Sequence, residues 1–247
     1  MQLFFVKPED VQGNMAIVRG GDVSHISNVL RMKPGEMISI SDGENFYSSE
    51  IRSINKDMVE LIIKDKQTIN TELSSKIFLF QCLPKLDKMD FVIMKAVELG
   101  VSKIIPVLSK RSIVKIDDKK AKKKRERWQA ISESAAKQSK RGYIPEVSEV
   151  IDFEEALSVA KELDVVLFPY EEATGIKESK RVLESISGGN TIGIFIGPEG
   201  GFEEDEVKSS LKIGAKVITL GERILRTETA GMCVLSILGY LLESQDK

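Results

Sequence analysis

From about residue 75 to the end, continuous apolar runs alternate with stretches of helical period. The runs are KIFLFQCL, KIIPVLS, VVLFPY, TIGIFIG and KVITLG. Between them lie DKMDFVIMKAVELG, RERWQAISESAAKQSK, FEEALSVAKEL, IKESKRVLESI, EEDEVKSSLKIG and TAGMCVLSILGYLLES. Such alternation predicts an α/β domain with a largely parallel sheet. Ile192 to Ile196 shows no polar alternation beyond one glycine, as in a strand covered on both faces. The first 71 residues read differently. EMISISDG alternates and ends in the turn signal Asp42-Gly43, and FYSSEIRSI and MVELIIK follow at short spacing. One helical insert, DVSHISNVLRM, has Asp22 as N-cap and Ile26, Val29 and Leu30 on one face. Short strands so spaced predict a small barrel, with a polar linker at KDKQTINTELSS. The expected division is therefore residues 1–71 and 72–247.

Length agrees with two domains: the chain has 247 residues. Hydrophobic residues make up 42% and charged residues 30%, the balance of a water-soluble globular protein. No apolar stretch reaches the roughly 18 residues that cross a bilayer. The opening MQLFFVKPED has neither the basic leader nor the apolar core of a signal peptide. Cys82 and Cys233 match no metal spacing, and no disulfide or metal site is expected. These features predict a cytoplasmic protein with no membrane partner. A net charge of −2 carries no global nucleic-acid signature. Locally, KKAKKKRER at 119–127 is a basic run that reads first as a solvated helix start and otherwise as a patch for a phosphate backbone.

In open α/β sheets, ligands bind beyond the carboxyl ends of the strands. Three strand ends here are unusual: VVLFPYEEA, IGIFIGPEGGF and VITLGERILRTETA. Gly197, Gly200 and Gly201 suggest a ligand lying against main chain, or simply a tight turn. The turn is neither a phosphate loop nor G-x-G-x-x-G, and Glu199 with the acids at 203–206 would repel phosphate. Those acids suit the positive end of the next helix. The third strand end places Arg223, Arg226 and Glu228 around Ile224 and Leu225, apolar residues suited to gripping a flat ring. Thr227 reads as a partial helix cap. Arg226 is positioned to meet a phosphate or a polarised base oxygen, or to pair with Glu199 or Glu228. His25, the only histidine, reads as a structural hydrogen-bonding group, and Trp128 as core.

IGPEGGF together with LGERILRTETA resembles the paired C-terminal motifs of the RsmE family, the 16S ribosomal RNA uridine-N3 methyltransferases of the SPOUT superfamily. The resemblance extends to HISNVLRMKPGE (25–36), KLDKMDFVIMKAVELGVSKIIPVLSKRS (85–112) and ERWQAISESAAKQSKRGYIPEV (126–147). It implies a PUA-like β-barrel followed by a SPOUT α/β domain with a C-terminal trefoil knot. It also implies S-adenosyl-L-methionine as cofactor, a homodimer, and 16S rRNA of the small ribosomal subunit as partner. Carried onto this chain, the cofactor positions are Ile196, Gly197, Glu199, Gly200, Gly201, Leu220, Gly221, Ile224, Leu225 and Thr229. Arg226 would stabilise charge on the uracil, and Glu228 or Glu133 would accept the N3 proton. Arg31, Lys122, Lys123, Lys124 and Arg141 would contact RNA. The apolar C-terminal helix suits a subunit interface or its own core. Two features depart from the family: no arginine stands in the first residues, where Lys7 is the substitute, and the ESAAKQSKRGYIP segment has extra lysines. The rival readings are a SPOUT enzyme acting on tRNA or on a ribose 2′-hydroxyl, a non-catalytic RNA-binding protein of ribosome assembly, and a nucleotide-binding α/β enzyme that uses no RNA.

Overall fold

The computed structural model describes residues 1–112, 118–173 and 175–243. The chain divides into two units, 1–72 with 136–144 and 73–135 with 145–247. The return of 136–144 to the first unit is absent from a contiguous division at residue 71.

The first unit contains β1 (Leu3–Phe5), β2 (Val11–Gln12), β3 (Met15–Arg19), β4 (Met37–Ser41), β5 (Asn45–Ile54) and β6 (Met58–Thr68). They form one sheet in the order β1-β4-β5-β6-β3-β2, with only β1 and β4 parallel. Alternate residues point inward, so Ile38, Ile40, Tyr47, Ile51, Val59 and Leu61 share one core with Phe4, Val18 and Ile26. No hydrogen-bonded pair joins β2 to β1 among the described residues, so the expected barrel is a sheet left open at that seam. The expected linker also moves. Asp65 to Thr68 is the far end of β6, exposed and paired with Ser48 to Asn45 of β5.

Between β3 and β4, helix α1 (Gly21–Ser24) runs into a π-helical turn, His25–Val29. Asp22 does not cap the helix; its carboxylate accepts a 2.7 Å hydrogen bond from Lys137 Nζ. Ile26 is buried as expected, but Val29 is 68% exposed and Leu30 37%. The wider π turn advances the residue that meets the core, so the 3.6-residue spacing no longer holds there. Segment 136–144 is fixed by Arg141, whose guanidinium is buried against the Glu72 carboxylate. Gly142 N–H donates to the same carboxylate at 2.9 Å. A Cβ on Gly142 would lie 2.4 Å from Ile69 Cγ2, so only glycine fits. Arg141, expected as an RNA contact, is instead a buried structural cation: its Nε and Nη2 bond the Glu72 carboxylate and only 3% of the residue is exposed.

The second unit alternates as the pattern predicts. Its elements are β7 (Lys76–Cys82), α2 (Lys88–Glu98), β8 (Lys103–Leu108), α3 (Asp118–Gln138), β9 (Glu146–Val147), β10 (Ile151–Asp152), α4 (Phe153–Ala160), β11 (Val165–Pro169), α5 (Ile176–Glu184), β12 (Thr191–Ile196), α6 (Glu204–Lys212), β13 (Lys216–Ile218) and α7 (Thr227–Glu243). The last predicted residue of α7, Ser244, lies outside the described residues. All strand pairs are parallel, in the order β10-β8-β7-β12-β11-β13, with β9 also on β8. Helices cover both faces. Phe153 of α4 packs edge-on against Phe195, while Gly231 of α7 lies against Ile196 and Leu79 on the opposite side. Gly193 leaves room for Leu163 and for Phe80, whose ring stacks on Phe195 at 4.5 Å. Trp128 is buried, and both cysteines are free thiols. Among the described residues no helix is long and apolar enough to cross a membrane.

Candidate functional site

Sheet order places the carboxyl ends of β12, β11 and β13 side by side. Beyond them opens a cleft of about 430 Å³. Its walls are Pro169 to Glu171 after β11, the turn after β12, and residues 219–227 after β13, with Lys88 of α2 at one edge. This is where a parallel sheet offers a ligand site. Ile196, Leu220, Leu225 and Ala230 give it apolar surface; Glu199, Glu222, Arg223 and Arg226 give it charge.

Each turn glycine has a physical reason, and the reasons differ. A Cβ on Gly197 would press on the Phe202 ring at 3.1 Å, so this glycine admits a buried aromatic. Gly200 faces Arg111, whose Nη1 donates to its carbonyl at 2.7 Å while Nε holds Glu203 at 2.8 Å. Gly201 has φ of 68° and closes the turn through its N–H to Pro198 O at 3.0 Å. Of the glycines at the cleft, only Gly221, at φ of 111°, has no atom within 4 Å of its would-be Cβ. Main chain is therefore open in the third loop. The glycine-rich turn packs on Phe202 and Arg111 and also lines the cleft at Gly197, Glu199 and Gly201. The following acids behave as expected: Glu203 N–H donates to Glu206 at 2.8 Å at the start of α6.

The two acids expected as partners of Arg226 are held by Lys88 instead, with Nζ 3.1 Å from Glu199 Oε1 and 3.3 Å from Glu228 Oε2. Glu228 Oε2 is buried and, although within ion-pair distance, lacks an aligned hydrogen bond. Burial opposes the ionisation of Glu199. The Glu199 N–H, the Lys88 ammonium and the Lys85 N–H outweigh it and hold the carboxyl below the usual glutamate range. The Glu199 hydrogen bond, partly offset by desolvation, raises Lys88 above the usual lysine range. Arg226 is exposed on the cleft wall and carries no ion pair among the described residues.

Thr227 is not the cap of α7 that the sequence suggests. The helix begins at Thr227, with the Arg226 carbonyl accepting from the Thr229 and Ala230 N–H groups at 2.8 Å. The Thr227 hydroxyl donates to Gly197 O at 2.6 Å and accepts from Gln81 Nε2 at 2.9 Å.

Of the residues expected at the site, the cleft brings together Ile196, Gly197, Glu199, Gly201, Leu220, Gly221, Ile224, Leu225 and Arg226. Gly200, Thr229 and Glu133 do not line it, and Glu228 adjoins it through Lys88. Lys88 and Gln81 escaped sequence reading. Gln81 leaves a signal, a lone amide at the end of an otherwise apolar strand. Lys88, one lysine among several, leaves none. The basic run 119–127 lies on the first half of α3. Lys122 and Lys123 are exposed, and Lys124 lies 5.8 Å from the Trp128 ring centre. Arg125 and Arg127 are spent on Val147 O, Glu149 and Asp90. Arg31 is exposed, with φ of 55°. Among the described residues no cluster of three metal-ligating side chains occurs.

The chain is similar to known proteins along nearly its whole length. Residues 71–239 match a family model described as an RNA methyltransferase domain, and 18–64 one described as an RNA methyltransferase PUA domain. The chain is 37% identical to ribosomal RNA small subunit methyltransferase E of Bacillus subtilis, covering 98% of each. It is 36% identical to the protein of that name from Mesomycoplasma hyopneumoniae, over 96% of this chain and 98% of the other. Among solved structures, ribosomal RNA small subunit methyltransferase E of Neisseria gonorrhoeae, bound to S-adenosyl methionine, superposes with a TM-score of 0.82 at 33% identity, covering 98% of both chains.

Proposed function

The chain belongs to the ribosomal RNA small subunit methyltransferase E family, and from that premise we infer that it is an S-adenosyl-L-methionine-dependent enzyme methylating N3 of one uridine in 16S ribosomal RNA. The observation that carries the reading is the strand-end cleft, which lies within the matched methyltransferase segment. Its volume falls in the range of cofactor sites, and its apolar patches, few charges and open main chain at Gly221 suit a bent nucleoside with a charged tail. S-adenosyl-L-methionine, when bound there, supplies an activated methyl carbon.

The protein's own task is alignment and charge management. Ile196, Leu220, Ile224 and Leu225 clamp the flat ring, and Gly197, Glu199, Gly201 and Gly221 shape the wall. Gly200, through Arg111, and Thr229, through the first turn of α7, support it from behind. Arg226, on the cleft wall, stabilises negative charge developing on the uracil oxygens as N3 loses its proton. Glu228 accepts that proton, through water at the edge held by Lys88. Glu133 lies off the cleft and is the weaker choice.

The first unit, with Arg31, and Lys122, Lys123 and Lys124 on α3 hold the RNA. A C-terminal trefoil knot is part of the proposal, supported by the packing of α7, which follows edge strand β13, against β12 and α2. A homodimer pairing exposed α7 residues such as Tyr240, and a cytoplasmic site of action on the small ribosomal subunit, complete the proposal.

The test is methyl transfer to small subunits that lack the modification, followed by mapping of the methylated base. Arg226→Ala is expected to lower kcat by about 10²–10³-fold while donor affinity stays nearly constant. Full turnover in Arg226→Ala would remove the charge-stabilising role. A methyl group on tRNA or on a ribose oxygen would move the enzyme to another branch of methyltransferases.

A further inference from the structure

Two polar side chains behind the cleft form a chain of hydrogen bonds with a single polarity. Gln81 is wholly buried at the end of β7, beside Ile196 in the sheet register. Its Nε2 donates twice, to Cys82 O and to Thr227 Oγ1, both at 2.9 Å. Thr227, 5% exposed, has one hydroxyl hydrogen, and with Gln81 as its donor that hydrogen goes to Gly197 O at 2.6 Å. One hydroxyl thus ties the end of β7, the glycine turn and the first residue of α7. The residues flanking Thr227 are Arg226, on the cleft wall, and Glu228, on Lys88. Buried hydrogen bonds of this kind are costly to leave unmade, and Cys82 O, which can only accept, fixes Nε2 as the donor while Gln81 Oε1 is buried without a hydrogen-bond partner among the described residues.

We propose that Gln81 and Thr227 are positioning residues, setting Arg226 and Glu228 in place against the glycine turn. They act through main chain and touch no reacting atom. The proposal rests on the methyltransferase reading for its consequence in catalysis, but its structural part stands without it. Thr227→Val keeps the shape of the side chain and removes the hydroxyl, Thr227→Ser keeps the hydroxyl, and Gln81→Met removes the amide alone.

Three readouts separate the cases: hydrogen exchange of the Thr229 and Ala230 amides, which bond to Arg226 O, calorimetric affinity for S-adenosyl-L-methionine, and kcat. Thr227→Val is expected to speed exchange at those amides at least tenfold. It should weaken donor binding about tenfold and lower kcat by a further factor of about ten, the scale of a misplaced catalytic group. Gln81→Met is expected to give about one third of each effect on a logarithmic scale, and Thr227→Ser to stay within about twofold of the parent. If Thr227→Val does not fold, Gln81→Met decides alone, and unchanged exchange there overturns the proposal. A lowered melting temperature with unchanged exchange, affinity and kcat would make the two residues merely structural and overturn it as well. So would a Thr227→Ser as impaired as the valine variant. A parent protein that binds no donor would defeat the methyl-transfer reading, while the exchange rates would still decide whether the two residues position the start of α7.

Discussion

The two loops that face each other across the cleft are built in opposite ways. The turn at 197–201 looks like a ligand loop and is packed as a scaffold: Phe202, 4% exposed, fills the space left by Gly197, and Arg111 ties its far side to Glu203. The loop at 219–226 has one glycine and offers its side chains outward, with Ile224 84% exposed. Glycine density therefore marks where the backbone must be compact. Exposed apolar residues beside open main chain mark where a ligand can be covered.

The contrast can be broken by substitution. Gly197→Ala drives a methyl group into the Phe202 ring and should cost about 1–3 kcal/mol of stability, read by denaturant unfolding. Ile224→Ala should leave stability within about 0.5 kcal/mol, because the residue is exposed. It should nevertheless weaken donor binding by about 1 kcal/mol, or roughly fivefold, as ligand-covered apolar area is lost. If the alanine at 197 cost nothing and the one at 224 unfolded the chain, the assignment of scaffold and cover would be reversed.

Acid sharpens the same comparison. Glu199 joins the turn to Lys88 and to Lys85 N–H, and its pKa is lowered in the fold. A lowered carboxylate pKa contributes stability that is complete above the unfolded value, near 4.3, and is lost as pH falls through the folded value. Folding stability should therefore be flat from neutrality to about pH 5 with respect to this group and fall only below that, and Glu199→Gln should remove that acid-side contribution. The smallest effect belongs to Lys122 and Lys123. Their replacement by alanine should leave donor binding unchanged and reduce the slope of log affinity for RNA against log salt by about one to two. An unchanged slope would return that stretch of α3 to an ordinary solvated helix.

Local pattern carried the second unit well, because fully buried parallel strands and amphipathic helices write their periods into neighbouring residues. Ile192 to Ile196 and Phe153 to Ala160 are examples. What escaped was set by partners distant in sequence. Arg141 reads as one more basic residue, and only Glu72, across a separation of 69 residues, makes it structural. The π turn at His25–Val29 keeps the apolar residues of a regular helix and shifts which of them is buried. At the cleft, the strand ends and both loops were visible as departures from apolar runs. The division of labour between them was not, since Phe202 and Arg111 had no legible connection to Gly197 and Gly200. Thr227 shows the same limit, having the residue type of a cap and the position of a tie between strands.

The cleft as donor site is tested most directly by calorimetric titration of the intact chain with S-adenosyl-L-methionine, with ATP and NAD as controls, repeated on Ile224→Ala. Saturable binding of the methyl donor alone is expected, with a several-fold loss in the variant. Absence of donor binding, or equal affinity in the variant, would contradict the assignment of this cleft.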